Sequence, residues 1–300
     1  MSPQPARHVP VLTREVVALV YPKPAEVWVD ATVGAGGHAR AIAECVGPAG
    51  RVIGLDQDPA MLNMARPNLV GQPVTLVHAN FDQLTAVLQS VGVKEVDGLL
   101  ADLGFASDQM DAADRGLSFQ QDGPLDMRLD PTSGETAADL VARLSEYDLA
   151  KVIYEYGEER HSRRVARKIA ETRKQSPIRT TGQLADLVRR CVPRERGRHF
   201  DPATRVFQAL RIAVNDELGS LERLLAQLPR VVKSGGRAGI ISFHSLEDRR
   251  VKQAFQDRTV WEALTKKPVQ AGDAEVRENP RSRSAKLRVA RRLACPAPTP

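Results

Sequence analysis

Cysteine is scarce in this 300-residue chain: Cys45, Cys191 and Cys295 lie far apart and form no C-x-x-C pair. That spacing suggests neither a disulfide framework nor a zinc site. The six histidines are equally scattered and none belongs to an H-E-x-x-H pattern, so no metal is expected. No run of about eighteen apolar residues occurs, which argues against a membrane span. The N-terminus also lacks the basic-then-apolar pattern of a secretory signal, and a cytoplasmic protein is the expectation. Internal repeats and low-complexity tracts are missing too. With 42% hydrophobic residues, such a chain can bury one large core or two modest ones, and one α/β domain plus an insertion is the natural form.

Formal charge is +6, a lean towards a polyanionic partner, and its distribution says more than its size. Acids outnumber bases by nine between Ser107 and Glu159, whereas bases outnumber acids by ten from Arg160 to Arg205. This polarity predicts one face for RNA and another that avoids it, with ordinary solvated helix faces as the alternative.

The most informative stretch is Val27-Trp-Val-Asp30-Ala-Thr-Val-Gly34-Ala-Gly36-Gly37-His38, an apolar strand that ends in a carboxylate and enters a glycine turn. Glycines serve where the backbone takes positive φ or where ligand atoms approach the main chain, and the helix that follows offers unpaired N–H groups. A second strand, Arg51-Val-Ile-Gly-Leu-Asp56, ends in another acid, suited to accept from two ribose hydroxyls. Gly34-x-Gly36-x-x-Ala39 alone fits a permissive dinucleotide fingerprint, so NAD competes with S-adenosylmethionine. Asp30 favours the latter, because a carboxylate near the ligand's centre repels a pyrophosphate but attracts a sulfonium and an ammonium.

Strands are predicted at Val27–Val33, Arg51–Leu55, Val74–Ala79 and Val96–Ala101 with helices between, a pattern of parallel sheet. The alternation stops for about a hundred residues. It resumes with a long helix near Ala203–Leu228, a turn at Lys233–Gly236, the strand Ala238–Phe243 and a last strand at Lys286–Arg291 within a basic tail. The interruption looks helical: Thr136 with Asp139, Ser145 with Asp148 and Thr180 with Gln183 are spaced as helix caps, Pro177 and Pro193 punctuate, and a basic helix spans Arg160–Lys174. Arg115–Arg128 reads as an ordered loop over the site. The expected organisation is an α/β domain of residues 1–106 and 206–300 with a helical domain, 107–205, inserted.

In an open α/β sheet the ligand lies outside the carboxyl ends of the strands. Strand four ends in Asp102-Leu-Gly104-Phe105, and the strand after the insertion ends in Ser242-Phe-His244-Ser245-Leu-Glu247-Asp248. Both are expected to converge on the methyl donor. The alternatives are a capping role for Asp102 and a structural one for His244.

Seven stretches carry a resemblance to a known family: Gly36-Gly37-His38, Asp102-Leu-Gly104, Arg115-Gly-Leu-Ser-Phe119, Asp122-Gly-Pro-Leu-Asp-Met-Arg128, Tyr154-Glu-Tyr-Gly-Glu-Glu-Arg160, the run from Pro202 to Asn215-Asp-Glu217-Leu218, and Ile241-Ser-Phe-His-Ser-Leu-Glu-Asp-Arg249. Together they closely resemble the bacterial ribosomal RNA small subunit methyltransferase H family, over nearly the whole chain. The resemblance implies a Rossmann-like S-adenosylmethionine methyltransferase sheet with an inserted all-helical domain. The implied activity is methylation of N4 of a cytidine in the decoding region of 16S rRNA, with 16S rRNA or the small ribosomal subunit as partner. It also implies S-adenosylmethionine contacts at Gly36, Gly37, His38, Asp56, Phe81 beside the adenine, Asp102 and Gln109. After Asp-Leu-Gly the family usually has a small apolar residue, two serines and a proline. Here the chain has Phe105, Ala106, Ser107 and Asp108, so the shape of that loop does not carry over, though Asp102 and Gln109 keep their spacing.

Chemistry independently narrows the methyl acceptor. Methylation at C5 of a pyrimidine needs a cysteine nucleophile, and no cysteine lies at a strand end or in the glycine loop. An exocyclic amine or a ribose hydroxyl remains. The N4 lone pair is delocalised into the cytosine ring, so its attack is helped by an acceptor for the N–H as the nitrogen pyramidalises. Asp102 is the candidate acceptor, with His244 and Asn215 as alternatives. Two other function classes compete: an NAD-dependent oxidoreductase, for which the sequence offers no hydride-transfer site, and a non-catalytic RNA-binding or assembly factor that kept the fold. Oligomeric state is not legible from composition or motifs.

Overall fold

A computed structural model describes residues 10–193 and 201–294; Cys295 and the Pro-rich end lie outside the described residues. The chain divides into two compact units, one of residues 1–104 and 218–300 and one of Phe105–Glu217. Among the described residues, no helix is long and apolar enough to cross a membrane.

In the first unit the order is α1 (Thr13–Val20), β1 (Val27–Asp30), α2 (Gly37–Val46), β2 (Arg51–Asp56), α3 (Pro59–Asn68), β3 (Val74–His78), α4 (Leu84–Ser90) and β4 (Val96–Asp102). The second unit holds α5 (Ser107–Asp111), α6 (Ala137–Arg143), α7 (Glu146–Gly157), α8 (Ser162–Gln175), α9 (Thr181–Cys191) and α10 (Ala203–Asn215). The chain then returns through α11 (Glu217–Val231), β5 (Val232–Ser242), α12 (Ser245–Phe255), β6 (Trp261–Ala263), α13 (Asp273–Glu278) and β7 (Lys286–Arg292). The seven strands form one sheet in the order β3-β2-β1-β4-β5-β7-β6, parallel except where β7 runs antiparallel to both β5 and β6. The strand order reverses between β1 and β4, and their diverging connections open a crevice at the carboxyl ends. This is a Rossmann-like α/β sheet.

Alternation along the strands sorts side chains to two faces. Val29, Ile53, Leu99 and Ala101 join Leu84 and Leu88 of α4 and Leu221, Leu224 and Leu228 of α11 in one buried layer. Trp28, Val52 and Leu100 join Val16 and Val20 of α1 and Ile42 and Val46 of α2 in the other. Both faces are covered, which is why the central strands read as near-continuous apolar runs.

The second unit has its own core, from Leu125, Met127 and Leu140 to Ile169, Leu184 and Leu210. The Thr136 and Thr180 side chains cap α6 and α9 by accepting from the N–H of Asp139 and Gln183, and Ser145 caps α7 by accepting from Asp148. The 115–128 loop is tied into this unit. Met127 N donates to Arg115 O, Leu125 N to Arg179 O and Ala138 N to Leu125 O.

Four elements differ from the sequence reading. The expected long helix Ala203–Leu228 is two helices, because Asp216 adopts a left-handed φ of 45° between α10 and α11. The expected 107–205 insertion gives way to a unit reaching Glu217, since α10 packs on α6, α7 and α9. The Lys233–Gly236 turn is absorbed into β5 as an irregularity opposite Val96–Gly98, with Gly235 at φ +80°. The strand expected at Lys286–Arg291 is present as β7 and lies inside the sheet between β5 and β6, whereas the short edge strand β6 had no counterpart in the sequence reading.

The sheet also sets a tight limit at Gly98 on β4. A Cβ there would lie 2.1 Å from the ring of Trp28, which is itself 1% exposed and has nowhere to move. Gly98→Ala is expected to lower unfolding stability by about 1–3 kcal/mol through overpacking, read as a reduced urea midpoint at unchanged slope. A midpoint equal to that of the wild type would show that the β1–β4 interface repacks freely.

Candidate active site

Asp30 ends β1 with no exposed surface, and its environment dominates this part of the first unit. Oδ1 accepts from the Thr32 N–H at 3.2 Å, while Oδ2 has no protein partner. Burial raises its pKa to about 6, against the lowering effects of His38 and of the Thr32 hydrogen bond. Thr32 also binds the neighbouring strand, its Oγ1 accepting from the Asp102 N–H at 2.6 Å. The ends of β1 and β4 are thereby clamped, with both carboxylates at the crevice.

His38, 5% exposed in the first turn of α2, brings its Nε2 to 3.4 Å from Asp102 Oδ2. The contact is a close charge pairing rather than a well-aligned hydrogen bond. Burial pulls the imidazole pKa down, yet Asp102 and then Asp30 outweigh it and hold it above its ordinary value. His38 Nδ1 and Asp102 Oδ1 are buried without a protein partner, like Asp30 Oδ2. Buried polar groups are ordinarily paired, so this concentration of orphans at strand ends marks a place for a polar, cationic ligand.

The glycine turn is built for its shape. Gly34 and Gly36 take φ of +51° and +93°, and the Gly36 N–H donates to Val33 O at 2.7 Å. Gly37 is needed for a different reason: a Cβ there would meet the Pro10 ring at 2.7 Å. Asp56, at the end of β2, accepts from Gly34 N at 2.8 Å through Oδ2 and from Asp58 N at 2.9 Å through Oδ1. Burial lifts it also to about 6, against those two hydrogen bonds. Its carboxylate is thus fixed beside the turn and retains lone pairs for further donors. Phe81 opens a short 3-10 turn just beyond β3 and is half-buried against the core layer, leaving part of its ring as an apolar wall.

His244 stands at the end of β5 as the N-cap of α12. Glu247 N donates to its Nδ1 at 3.4 Å, and its Nε2 lies 3.2 Å from Glu247 Oε1. Glu247 Oε2 accepts from Phe243 N at 2.8 Å. Both ring nitrogens therefore face Glu247, a partner that sequence reasoning did not assign; its signal was the capping spacing of His244 and Glu247.

Gln109 and Asn215 belong to the second unit. Gln109 Oε1 accepts from Ala106 N at 2.7 Å, an arrangement that shapes the divergent Phe105–Asp108 turn. Asn215 Oδ1 accepts from Leu129 N at 2.7 Å, and its amide donates to Met127 O and Arg211 O at 2.8 and 2.9 Å. One N–H ties the 127–129 loop to the end of α10 and the other is returned to α10 itself, so both are spent. Arg211 below it stacks on Phe105 at 4.6 Å and pairs with Glu217 through two hydrogen bonds of 2.7 and 3.0 Å.

Cys45 and Cys191 are free thiols, and burial raises both pKa values, which lowers their thiolate content. Neither lies at a strand end.

S-adenosylmethionine fits the residues present. Asp30 and Asp102 offer negative, partly unpartnered oxygens to its two positive groups, Asp56 offers acceptor capacity to a ribose, and Phe81 offers an apolar face to a purine. A pyrophosphate would meet the carboxylates of Asp30 and Asp102.

The chain matches the family model described as the MraW methylase family over residues 5–293. It is 54% identical over 293 residues to a ribosomal RNA small subunit methyltransferase H of Sorangium cellulosum, covering 97% of this chain and 92% of that protein. A protein of the same name from Geotalea uraniireducens is 47% identical over 307 residues, covering 95% and 98%. Among solved structures, an rRNA methylase from Streptococcus thermophilus aligns with a TM-score of 0.41 at 12% identity over 92% of each chain, too distant to bear on the site.

The raised pKa of Asp30 carries a stability consequence. Folded Asp30 holds its proton up to about pH 6 and unfolded Asp only to about 4, so the folded state binds more protons in between and stability falls as pH rises through that window. In the ligand-free protein, Asp30→Asn should gain stability relative to wild type as pH rises from 4 to 7, by an amount on the order of 1–3 kcal/mol. Urea unfolding at each pH checks this; a difference that stays flat would mean the carboxylate is adequately solvated.

Proposed function

Because the chain belongs to the MraW methylase family, it is a methyltransferase that uses S-adenosylmethionine, and we propose that it methylates the N4 amine of a cytidine in the 16S rRNA of the small ribosomal subunit, in the cytoplasm. The observation that carries this reading is the set of unpartnered polar atoms at the ends of β1 and β4, Asp30 Oδ2, His38 Nδ1 and Asp102 Oδ1. The near full-length similarity to proteins named for small-subunit rRNA methylation supports the choice of substrate.

The donor, when bound, supplies a methyl group made electrophilic by its sulfonium. The chain's residues do the rest. The Gly34–Gly37 turn and Asp56 hold the nucleoside end, and Phe81 covers the base. Asp30 would balance the donor's positive charge, and Asp102 would serve both cofactor and acceptor. As N4 attacks, its C–N bond forms while the C–S bond breaks, and the amine must lose one proton. The proposed acceptor for that N–H is Asp102, a role supported by its Oδ1 being without a protein partner and by His38 lying 3.4 Å from Oδ2, where it can orient the carboxylate. Proximity and in-line alignment supply most of the rate, on the order of 7 kcal/mol or more. In this reading His244 orders the end of β5 through Glu247, and Asn215 orders the 127–129 loop. Gln109 holds the turn that follows β4, and the helical unit serves as the RNA-recognition domain.

Two outcomes follow. Incubating small subunits with the protein and isotopically labelled donor should yield N4-methylcytidine by nucleoside mass spectrometry. Asp102→Asn should lower the rate by about 10²–10⁴ even at saturating donor. Normal turnover in that variant would make Asp102 a binding residue only, and 5-methylcytidine as product would remove the amine reading.

The basic helix α8 exposes Arg163, Arg164 and Arg167, and among the described residues Arg167 alone of the three forms an ion pair, with Glu146 at 3.6 Å. Neutralising all three should weaken RNA binding and reduce the log–log salt slope by about 0.7–0.9 per lost phosphate contact, with donor affinity unchanged. An unaltered slope would return this helix face to plain solvent.

A further inference from the structure

Beyond β5 the sheet continues into β7 and the edge strand β6, and between this edge and the end of α12 lies a groove of about 480 Å³. Its floor is firm. Trp261 packs on Phe255 at a ring separation of 5.5 Å, and Thr265 Oγ1 accepts from Val289 N at 3.0 Å. Its rim is cationic. Lys252, Arg258 and Lys266 line it, all three exposed, and among the described residues none of them makes an ion pair or side-chain hydrogen bond.

The other cations of this edge behave differently. Arg288 is held by both Asp248 oxygens at 2.6 and 3.2 Å, Arg291 pairs with Glu262, and Arg292 donates to Val232 O at 2.7 Å. Those three build the sheet. Glu262, the acid among the described lining residues, is committed to Arg291, so it does not neutralise the rim. The backbone at Arg258 is also fixed, since Asp257 Oδ1 accepts from Thr259 N and Oγ1 at 3.0 and 2.6 Å. Three unpaired positive side chains therefore stand around an open, preformed groove in which the neighbouring acids are already used.

We propose that this α12–β6 groove is a second RNA-contact surface, which takes the phosphodiester backbone at a distance from the methylated nucleotide. Long, separated point charges around an open groove suit a chain of phosphates better than a compact anion, which would call for converging backbone N–H groups. The groove lies across β4, β5 and β7 from the Asp30 crevice, so it would bind RNA flanking the target and align the target rather than react with it. The proposal rests on the reading of RNA as substrate.

The test is a triple variant, Lys252→Gln, Arg258→Gln and Lys266→Gln, titrated with protein-free 16S rRNA across a salt series beside the wild type. The expected result is a salt slope lower by about 2, from three contacts at about 0.7 each, and RNA affinity at low salt reduced tenfold or more. Donor affinity and thermal midpoint should match the wild type, since all three side chains are exposed and unpaired. Equal RNA affinity and slope in the two proteins, with the wild type methylating its RNA, would overturn the groove and leave the substrate reading intact. Loss of affinity for assembled subunits with unchanged binding to protein-free rRNA would overturn it in favour of an acidic protein contact. If neither protein binds or methylates RNA, the groove falls together with the substrate reading.

Discussion

A carboxylate at the bottom of the crevice, Asp30, has no exposed surface and only one of its two oxygens satisfied. A charge in that position costs several kcal/mol unless something positive reaches it. Within the protein the compensation is His38, which lies nearer to Asp102 and is itself drawn up by both acids. One buried carboxylate, one half-buried carboxylate and one imidazole leave the cluster short of positive charge. The architecture around it follows: Thr32 clamps the two strand ends, the glycine turn passes over them, and the deficit is one that a sulfonium or an ammonium would fill.

The same constraint discriminates among ligands. A glycine turn followed by a helix would suit a dinucleotide as well, and the backbone at Gly34 and Gly36 has the conformations such a turn needs. Charge decides between them, because Asp30 and Asp102 would repel a pyrophosphate through a low-dielectric interior, whereas Asp56 suits the ribose of either ligand. Asp56 adds a second element of preorganisation. Its two oxygens are held by the N–H groups of Gly34 and Asp58, so a ribose meets an acceptor that needs no rearrangement.

Local signals in the sequence were legible and long-range ones were not. The strand ends at Asp30, Asp56 and Asp102, and the helix starts at Thr136, Ser145 and Thr180, depend on neighbours within four residues, which a single sequence displays. The break at Asp216 was hidden because Ala203–Leu228 has an unbroken amphipathic period. What stops α10 is the grip of Asn215 on the 127–129 loop, a contact across more than eighty positions. For the same reason α10 could not be assigned to the helical unit from sequence. β6 escaped notice because three residues at a sheet edge carry no periodicity. In the site, Thr32 joins Asp102 across seventy positions, and only its place between Asp30 and Gly34 hinted at a role. Asn215 was singled out for its chemistry as an alternative acceptor, yet in the structure its amide hydrogens are taken up by backbone carbonyls.

The central claim is that buried acids at the strand ends ionise to receive a cationic donor. Calorimetric titration of S-adenosylmethionine near pH 6, repeated in buffers of different ionisation enthalpy, counts the protons exchanged on binding. Asp30 and Asp56 are each raised to about 6, so both are partly protonated there and both are driven to ionise by a nearby sulfonium, ammonium or ribose hydroxyl. The account predicts net proton release that fades as the pH is raised towards 8. Binding with no proton exchange, or with proton uptake, would contradict it.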